Sequence, residues 1–117
     1  SLIKSKVLVM GATFKEDVSD IRNSKVVDVI NEIKSFSCEV EVVDPNADSD
    51  ELNDEYGFEL ANKINAPYDA VVVAVNHKEY VNLDEKYFQS ILTEKGVLVD
   101  IKGIYKDKIA ELDYWTL

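Results

Sequence analysis

Hydrophobic and polar positions along the chain predict strands that alternate with helices. Short apolar runs bounded by Gly, Asp or Pro are typical of buried strands. They occur at Lys6–Met10 (KVLVM), Glu39–Val43 (EVEVV), 70–75 (AVVVAV) and 97–100 (VLVD). Apolar residues recur at helical spacing from Val26 to Ile33 and again from Leu83 to Leu92. This alternation predicts parallel strands joined by crossover helices.

Turn and capping residues set the expected boundaries of these elements. Asn23 or Ser24 is placed to cap the first helix, and residues 48–51 (DSDE) resemble a capping box that opens a short helix ending at Gly57. We expect Gly96 to end the helix before the last central strand, and the apolar tail 114–117 to pack as an edge strand. The predicted fold is a three-layer αβα domain with a doubly wound, mostly parallel, Rossmann-like sheet.

Length and composition fit one soluble domain across residues 1–117. Of these residues 46% are hydrophobic, and the net charge of −10 argues against a nucleic-acid or anionic membrane partner. Cys38 is the single cysteine, which excludes an internal disulfide and suits a reducing compartment. With neither a signal peptide nor an apolar run of about 20 residues, the sequence predicts a cytoplasmic protein. Residues 1–2 (Ser-Leu) are consistent with a cloning remnant, which would make the chain an excised fragment.

Polar residues follow three of the predicted strands, where parallel sheets bind ligands. They are the loop 11–22, Asp44, and residues 100–102. The loop has one glycine and no Gly-Lys-Ser/Thr, so it is neither a dinucleotide fingerprint nor a P-loop. It is also longer than the usual connection of about two to six residues, which favours a functional role.

The side chains of this loop support two interpretations. Lys15 and Arg22 could contact a phosphate or carboxylate, and the ring of Phe14 could pack on a sugar or base. Alternatively, Arg22 pairs with Asp17 or Asp20, and Phe14 fills the core. The residues alone leave both interpretations open.

The same loop resembles a segment of the nucleotide-sugar 6-dehydrogenases. Residues 11–24 (GATFKEDVSDIRNS) follow the pattern G-x-x-F-K-x-x-x-x-D-x-R-x-S that opens the C-terminal domain of this family. The resemblance continues at 25–28 (KVVD), 44–45 (DP), 74–77 (AVNH) and 99–103 (VDIKG). The tail 114–117 (YWTL) is similar to the chain end of the UDP-N-acetylhexosamine branch.

The resemblance implies a role for four residues. Phe14 and Lys15 would contact the UDP-sugar, and Arg22 would reach the cofactor NAD across a cleft between domains. Lys102 stands where the family has a basic residue, commonly Arg, against the UDP-sugar. A lysine there keeps the charge but loses the bidentate fork.

The resemblance also implies a partial enzyme. The family oxidises a sugar C6 alcohol to a carboxylate in two hydride transfers, in pathways such as polysaccharide biosynthesis. Its nucleophilic cysteine, its main NAD-binding loop and its dimerisation helix lie in N-terminal and central domains. We therefore expect no catalytic residue in this chain, and a homodimer or higher oligomer for the full-length protein.

Other residues that could carry chemistry have simpler interpretations. Cys38 lies beside Glu39 at a strand entry, which disfavours a reactive thiolate. His77 has no second ligand at metal-binding spacing, so we expect no metal site, and a loop-ordering bond to backbone is favoured for it. Asp44 could bind a ribose or cap a turn. The acidic residues 48–55 are expected to form a solvated helix face, and the aromatic residues Tyr87, Phe88 and Trp115 to be core or docking residues.

Two alternative functions use the same fold class. A freestanding flavodoxin-like module could bind a nucleotide and act as a regulator. A phosphoacceptor receiver is disfavoured, because it needs clustered acids after its first strand to hold Mg²⁺, and here that strand ends Met10-Gly11-Ala12.

Overall fold

Five parallel strands form one sheet at the centre of the molecule. The structure is a computed structural model that describes residues 5–13, 17–22, 24–36 and 39–116. The strands are β1 (Lys6–Met10), β2 (Glu39–Val43), β3 (Tyr68–Val73), β4 (Leu92–Asp100) and β5 (Asp113–Thr116), in the spatial order β2-β1-β3-β4-β5. The predicted Rossmann-like fold is confirmed, including an edge strand at the C-terminal tail.

Helices cover both faces of the sheet. They are α1 (Lys25–Ser35), α2 (Ser49–Tyr56), α3 (Lys78–Val81) and α4 (Glu85–Ile91). Successive residues of a strand point to opposite faces, so β1 contributes to two separate cores. Val7 and Val9 pack in a cluster that includes Ile30 of α1 and Leu52 of α2, whereas Leu8 lies in a cluster with Phe88 of α4. One core lies on each face of the sheet, so the domain has three layers: helices, sheet and helices.

Several predicted boundaries need correction. β3 begins at Tyr68 and ends at Val73, and the short helix α3 follows it, so the predicted strand 70–75 was displaced toward the C-terminus. Gly96 does not end a helix, because α4 stops at Ile91 and Gly96 lies inside β4. The strand is irregular there: Leu92 pairs with Tyr68 but Val97 pairs with Ala70, so extra residues of β4 bulge out between the two pairs. A Cβ atom at Gly96 would stand 2.9 Å from the Cβ of Leu92, so the glycine permits the close approach that this bulge requires.

Capping and aromatic predictions had mixed outcomes. Asp48 caps α2 by accepting hydrogen bonds from the N–H groups of Asp50 and Glu51, and α2 ends at Gly57 with φ of 81°, as predicted. Phe88 is buried, as expected of a core residue. Trp115 is not a core residue: its side chain is exposed on β5 at the sheet edge.

Candidate functional site

The candidate site lies at the carboxyl edge of the sheet, where the loop after β1 begins at Gly11. Gly11 has φ of 102°, and a Cβ atom there would stand 2.8 Å from the Cβ of Val75. Its N–H donates to the carbonyl of Val43 over 2.8 Å. Glycine is therefore required, because the loop passes directly against the end of β2 and the segment that follows β3.

Asp44, which follows β2, ties this loop to its neighbours. Its carboxylate is fully buried; Oδ2 accepts the N–H of Ala12 at 2.6 Å and faces Nε2 of His77 at 3.0 Å. Oδ1 accepts the N–H groups of Asn46 at 2.7 Å and Ala47 at 3.0 Å. Of the two roles that the sequence left open for Asp44, the geometry shows the turn cap, and both oxygens are engaged within the chain.

His77, which follows β3, is fully buried beside Asp44. The backbone N–H of Asp17 donates to its Nδ1 over 2.9 Å, and Nδ2 of Asn46 lies 3.0 Å from the same atom. Because Nδ1 accepts, the ring hydrogen is placed on Nε2, which faces Asp44 and lies 3.1 Å from Oγ1 of Thr13. The expected loop-ordering bond from backbone to His77 is present.

Asp17 joins the loop after β1 to the residues that follow β3, a role that the sequence did not predict. Its φ of 60° puts a non-glycine residue in the left-handed region, which Asp tolerates better than most residues. Its Oδ1 accepts the N–H of Lys78 at 2.7 Å, while its own N–H is bonded to His77. An Asp in a long polar loop does not by itself indicate such a contact. Only the folded arrangement brings Asp17 against residues 77 and 78.

Arg22 lies at the far end of the loop and is exposed. Its Nε and Nη2 donate to the two oxygens of Asp20, each over 3.1 Å, so the pairing with Asp20 that the sequence allowed is formed. These hydrogen bonds lower the pKa of Asp20 and raise that of Arg22. The Arg22 side chain is still 82% exposed, so its guanidinium stays accessible to a ligand outside the domain.

An acidic groove of about 410 Å³ adjoins Arg22. It is lined by residues 19–22 together with Glu51, Asp54 and Glu55 of α2. The hydroxyl of Tyr56 donates to the carbonyl of Ile21 over 2.7 Å and fixes this end of the loop on α2. The acidic side chains are exposed, as predicted for a solvated helix face.

Lys102 lies on a second loop at the same edge, after β4. Buried Asp100 organises that loop: it accepts the N–H groups of Ile104 at 3.1 Å and Tyr105 at 2.8 Å. The hydroxyl of Tyr114 donates to it over 2.7 Å; burial and the adjacent Asp100 carboxylate raise the pKa of Tyr114 to about 12, which keeps this donor protonated. Lys102 itself is exposed, with Gly103 turning the chain at φ of 70°.

Two of the four predicted ligand-binding residues can be placed. Arg22 and Lys102 both lie on loops that leave the carboxyl edge of the sheet, whereas Phe14 and Lys15 lie outside the described residues, as does Cys38. Within the described ranges, no cluster of His, Cys, Asp or Glu could hold a metal ion. Among the helices of that same part of the chain, none is long and apolar enough to cross a membrane.

Comparison with known proteins identifies the family of this chain. Residues 8–107 match the model of the UDP-glucose/GDP-mannose dehydrogenase family, UDP binding domain. The chain is 37% identical over 101 residues to UDP-N-acetyl-D-glucosamine 6-dehydrogenase of Salmonella typhi, covering 86% of this chain and 24% of that protein. Protein CapL of Staphylococcus aureus is 38% identical over 99 residues, which cover 84% of this chain and 23% of CapL.

Solved structures share the fold. The UDP-N-acetyl-mannosamine dehydrogenase of Staphylococcus aureus superposes with a TM-score of 0.74 at 25% identity, over 96% of this chain and 25% of that one. An NDP-N-acetyl-D-galactosaminuronic acid dehydrogenase of Methanosarcina mazei gives 0.82 at 21% identity, over 99% and 24%. The chain thus spans about a quarter of the length of the proteins it matches. It belongs to the UDP-glucose/GDP-mannose dehydrogenase family, and residues 8–107 match the family's UDP-binding domain.

Proposed function

We propose that residues 1–117 form the C-terminal, UDP-sugar-binding domain of an NAD-dependent UDP-sugar 6-dehydrogenase. The match of residues 8–107 to the family's UDP-binding domain carries this proposal. Identities of 37% and 32% to two UDP-N-acetyl-D-glucosamine 6-dehydrogenases favour a UDP-N-acetylhexosamine as the substrate. The full-length protein would oxidise the C6 alcohol to a carboxylate, and NAD would accept a hydride in each of the two steps. It would act in the cytoplasm, in polysaccharide biosynthesis.

The proposed ligand contacts come from the two loops at the carboxyl edge. Lys15 and Lys102 would bring positive charge to the UDP moiety, and Phe14 would pack against the ligand. Lysine side chains suit this task even in an acidic domain, because a few cations dominate the local field when other charges are distant or screened. The exposure of Lys102 and the hydrogen bonds of Asp100 within the same loop support this role for Lys102.

Arg22 is the proposed contact to NAD. Its guanidinium is exposed and is oriented by the bidentate pair with Asp20, which suits a residue that reaches across a cleft. The main NAD-binding loop and the nucleophilic cysteine would belong to N-terminal and central domains of the same protein, which would assemble as a homodimer or higher oligomer. This chain would therefore supply one wall of the cleft and no catalytic residue.

Production of NADH from UDP-N-acetylglucosamine tests the proposal. We expect the full-length protein to reduce NAD with this substrate, and the 117-residue chain to show no turnover and only weak binding of UDP. Appreciable turnover by the 117-residue chain would contradict the proposed division of roles. A full-length protein that binds a nucleotide but never reduces NAD would favour the alternative, a flavodoxin-like regulatory module.

A further inference from the structure

The two faces of β4 differ in how far they are covered. On one face Leu98 and Asp100 are fully buried, and Phe88 of α4 packs in the same cluster as Leu98. On the other face Val97 and Val99 are only half-buried. Residues 97–100 (VLVD) are apolar at successive positions, which is typical of a parallel strand that is covered on both faces. The sequence of β4 therefore calls for a second cover, which the described residues supply only in part.

The half-covered surface extends onto β5 and beyond the end of β4. Trp115 pairs with Val99 in the register of the two strands, so both side chains stand on the same face. Ile101 is half-buried on this face as well. The side chain of Trp115 is 63% exposed, and its indole N–H donates to the carboxylate of Asp113 over 3.1 Å, which orients the ring. We call this surface the open face; it consists of Val97, Val99, Ile101 and Trp115.

The connections between the strands leave the open face without a helix of its own. Residues of α1 and α2 pack in one cluster with residues of β1, β2 and β3. The elements that connect β3 to β4 and β4 to β5, namely α3, α4 and residues 101–112, pack in the cluster on the opposite face. Within the described part of the chain, no buried residue of β4 or β5 belongs to the cluster of α1 and α2. The element that completes the cover therefore lies outside the described residues.

The dimensions of the open face match one helix. Neighbouring strands are about 4.8 Å apart, so the surface from β3 across β4 to β5 is about 10 Å wide. An α-helix with its side chains has a diameter of about 10 Å. The chain spans about a quarter of the length of the proteins it matches, so a protein of that kind has ample chain to supply such a helix.

We propose that the open face is the docking surface for an amphipathic helix from the N-terminal or central domains of the full-length protein. This inference rests on the proposed function, which makes residues 1–117 the C-terminal domain of a longer dehydrogenase. Trp115 is the main anchor, because a large aromatic ring buries the most apolar area on docking. Ile101 precedes Lys102, so the docked helix also contacts the start of the loop that carries Lys102. Docking thereby sets how this domain faces the other wall of the cleft.

Hydroxyl-radical footprinting compares the open face in the full-length protein and in the 117-residue chain. Phe36, which is 69% exposed at the end of α1, is the reference residue, because it lies at the opposite edge of the sheet from the ligand loops. We expect Trp115 to be oxidised several-fold more slowly in the full-length protein, and Phe36 at the same rate in both. Equal oxidation of Trp115 in the two proteins would overturn the inference. Protection that disappears when the full-length protein is diluted would identify a second copy as the partner, which would also overturn it.

Trp115→Lys and Phe36→Lys make the same change at two exposed aromatic residues. Both variants of the 117-residue chain should keep the Tm of the unaltered chain. In the full-length protein, Trp115→Lys should raise KM for the UDP-sugar and KM for NAD together, each about 10-fold, because the two walls of the cleft are no longer held in register. Trp115→Phe keeps an apolar ring and should retain most of both affinities. Unchanged KM values in Trp115→Lys, or an equal rise in Phe36→Lys, would overturn the inference.

The two measurements separate this inference from the proposed function. If the unaltered full-length protein does not reduce NAD, the proposed function fails, while the oxidation rate of Trp115 still decides whether the open face is covered. If the protein is active but Trp115 is oxidised as fast as in the 117-residue chain, the docking surface alone is wrong.

Discussion

Two loops at the carboxyl edge of the sheet are built around buried carboxylates in different ways. In the loop after β4, Asp100 accepts N–H groups from Ile104 and Tyr105, four and five residues further on. In the loop after β1, the carboxylate is Asp44, which belongs to a different loop and bonds to Ala12 and His77. The first loop is organised mainly from within, and the second is held from outside.

This difference has a consequence for function. Because the bonds of Asp100 lie mainly within its own loop, this loop keeps its conformation independently of the other loops. The position of Lys102 is therefore well defined. A loop held by other loops depends on the packing of the whole edge, so its arrangement can be lost by changes far along the chain. The loop after β1 should therefore be the more sensitive of the two to mutations outside itself.

The largest expected effect is at Asp44. Asp44→Asn replaces an acceptor oxygen by an amide that faces N–H donors, so we expect the free energy of unfolding to fall by about 3 kcal/mol. Denaturation in urea measures this loss. Asp48→Asn makes the same change at an exposed helix cap and should cost less than about 0.5 kcal/mol, because Asn caps helices well. Equal losses of stability in the two variants would contradict the claim that the buried hydrogen bonds of Asp44 stabilise the chain more than an exposed helix cap does.

Asp100→Asn should destabilise the chain by about 2 kcal/mol, with an effect confined to its own loop. Hydrogen exchange should show loss of protection at the amides of Ile104 and Tyr105, while that of Ala12 is kept. In Asp44→Asn the amide of Ala12 should lose protection. If the Ala12 amide also loses protection in Asp100→Asn, the two loops are not stabilised independently, which would contradict the distinction drawn between them.

Lys102→Ala tests whether the loop after β4 serves the ligand. Loss of a charged donor should raise KM for the UDP-sugar of the full-length protein about 10-fold, and Lys102→Arg should keep most of the affinity. Lys106→Ala removes an exposed lysine from the same loop and is the matched control, with no change in KM expected. An equal rise in KM for both alanine variants would indicate a general effect of charge.

The smallest expected effect concerns the far end of the same loop. The Glu85 carboxylate accepts N–H groups from Ala110, Glu111 and Leu112, and these bonds lower its pKa. A carboxylate whose pKa is lower in the folded than in the unfolded chain stabilises the folded state at pH values above its unfolded-state pKa. This contribution is lost as the pH falls through the folded-state pKa. Glu85→Gln should therefore lower Tm slightly at neutral pH, and the difference from the unaltered chain should vanish in acid. A difference that grows in acid would contradict this assignment.

The sequence predicted one loop better than the other for a physical reason. Periodicity identified the sheet, and the position of residues 100–102 after a strand sufficed to expect Lys102 at the carboxyl edge. The contacts of Asp17 with His77 and Lys78 join residues about sixty positions apart. No local pattern encodes such pairs, because they arise only when the strands are ordered. Gly96 was misjudged for a different reason: apolar periodicity gives no sign of the irregularity in β4, where Leu92 pairs with Tyr68 but Val97 pairs with Ala70.

An NMR titration of the 117-residue chain with UDP asks whether the two carboxyl-edge loops bind this ligand together. We expect weak, saturable shifts of backbone amides in residues 17–22 and 101–104, with none at residues 93–95 at the opposite edge of the sheet. Shifts confined to residues 93–95, or the absence of any shift in millimolar UDP, would contradict the claim that the two carboxyl-edge loops form one wall of a UDP-sugar site.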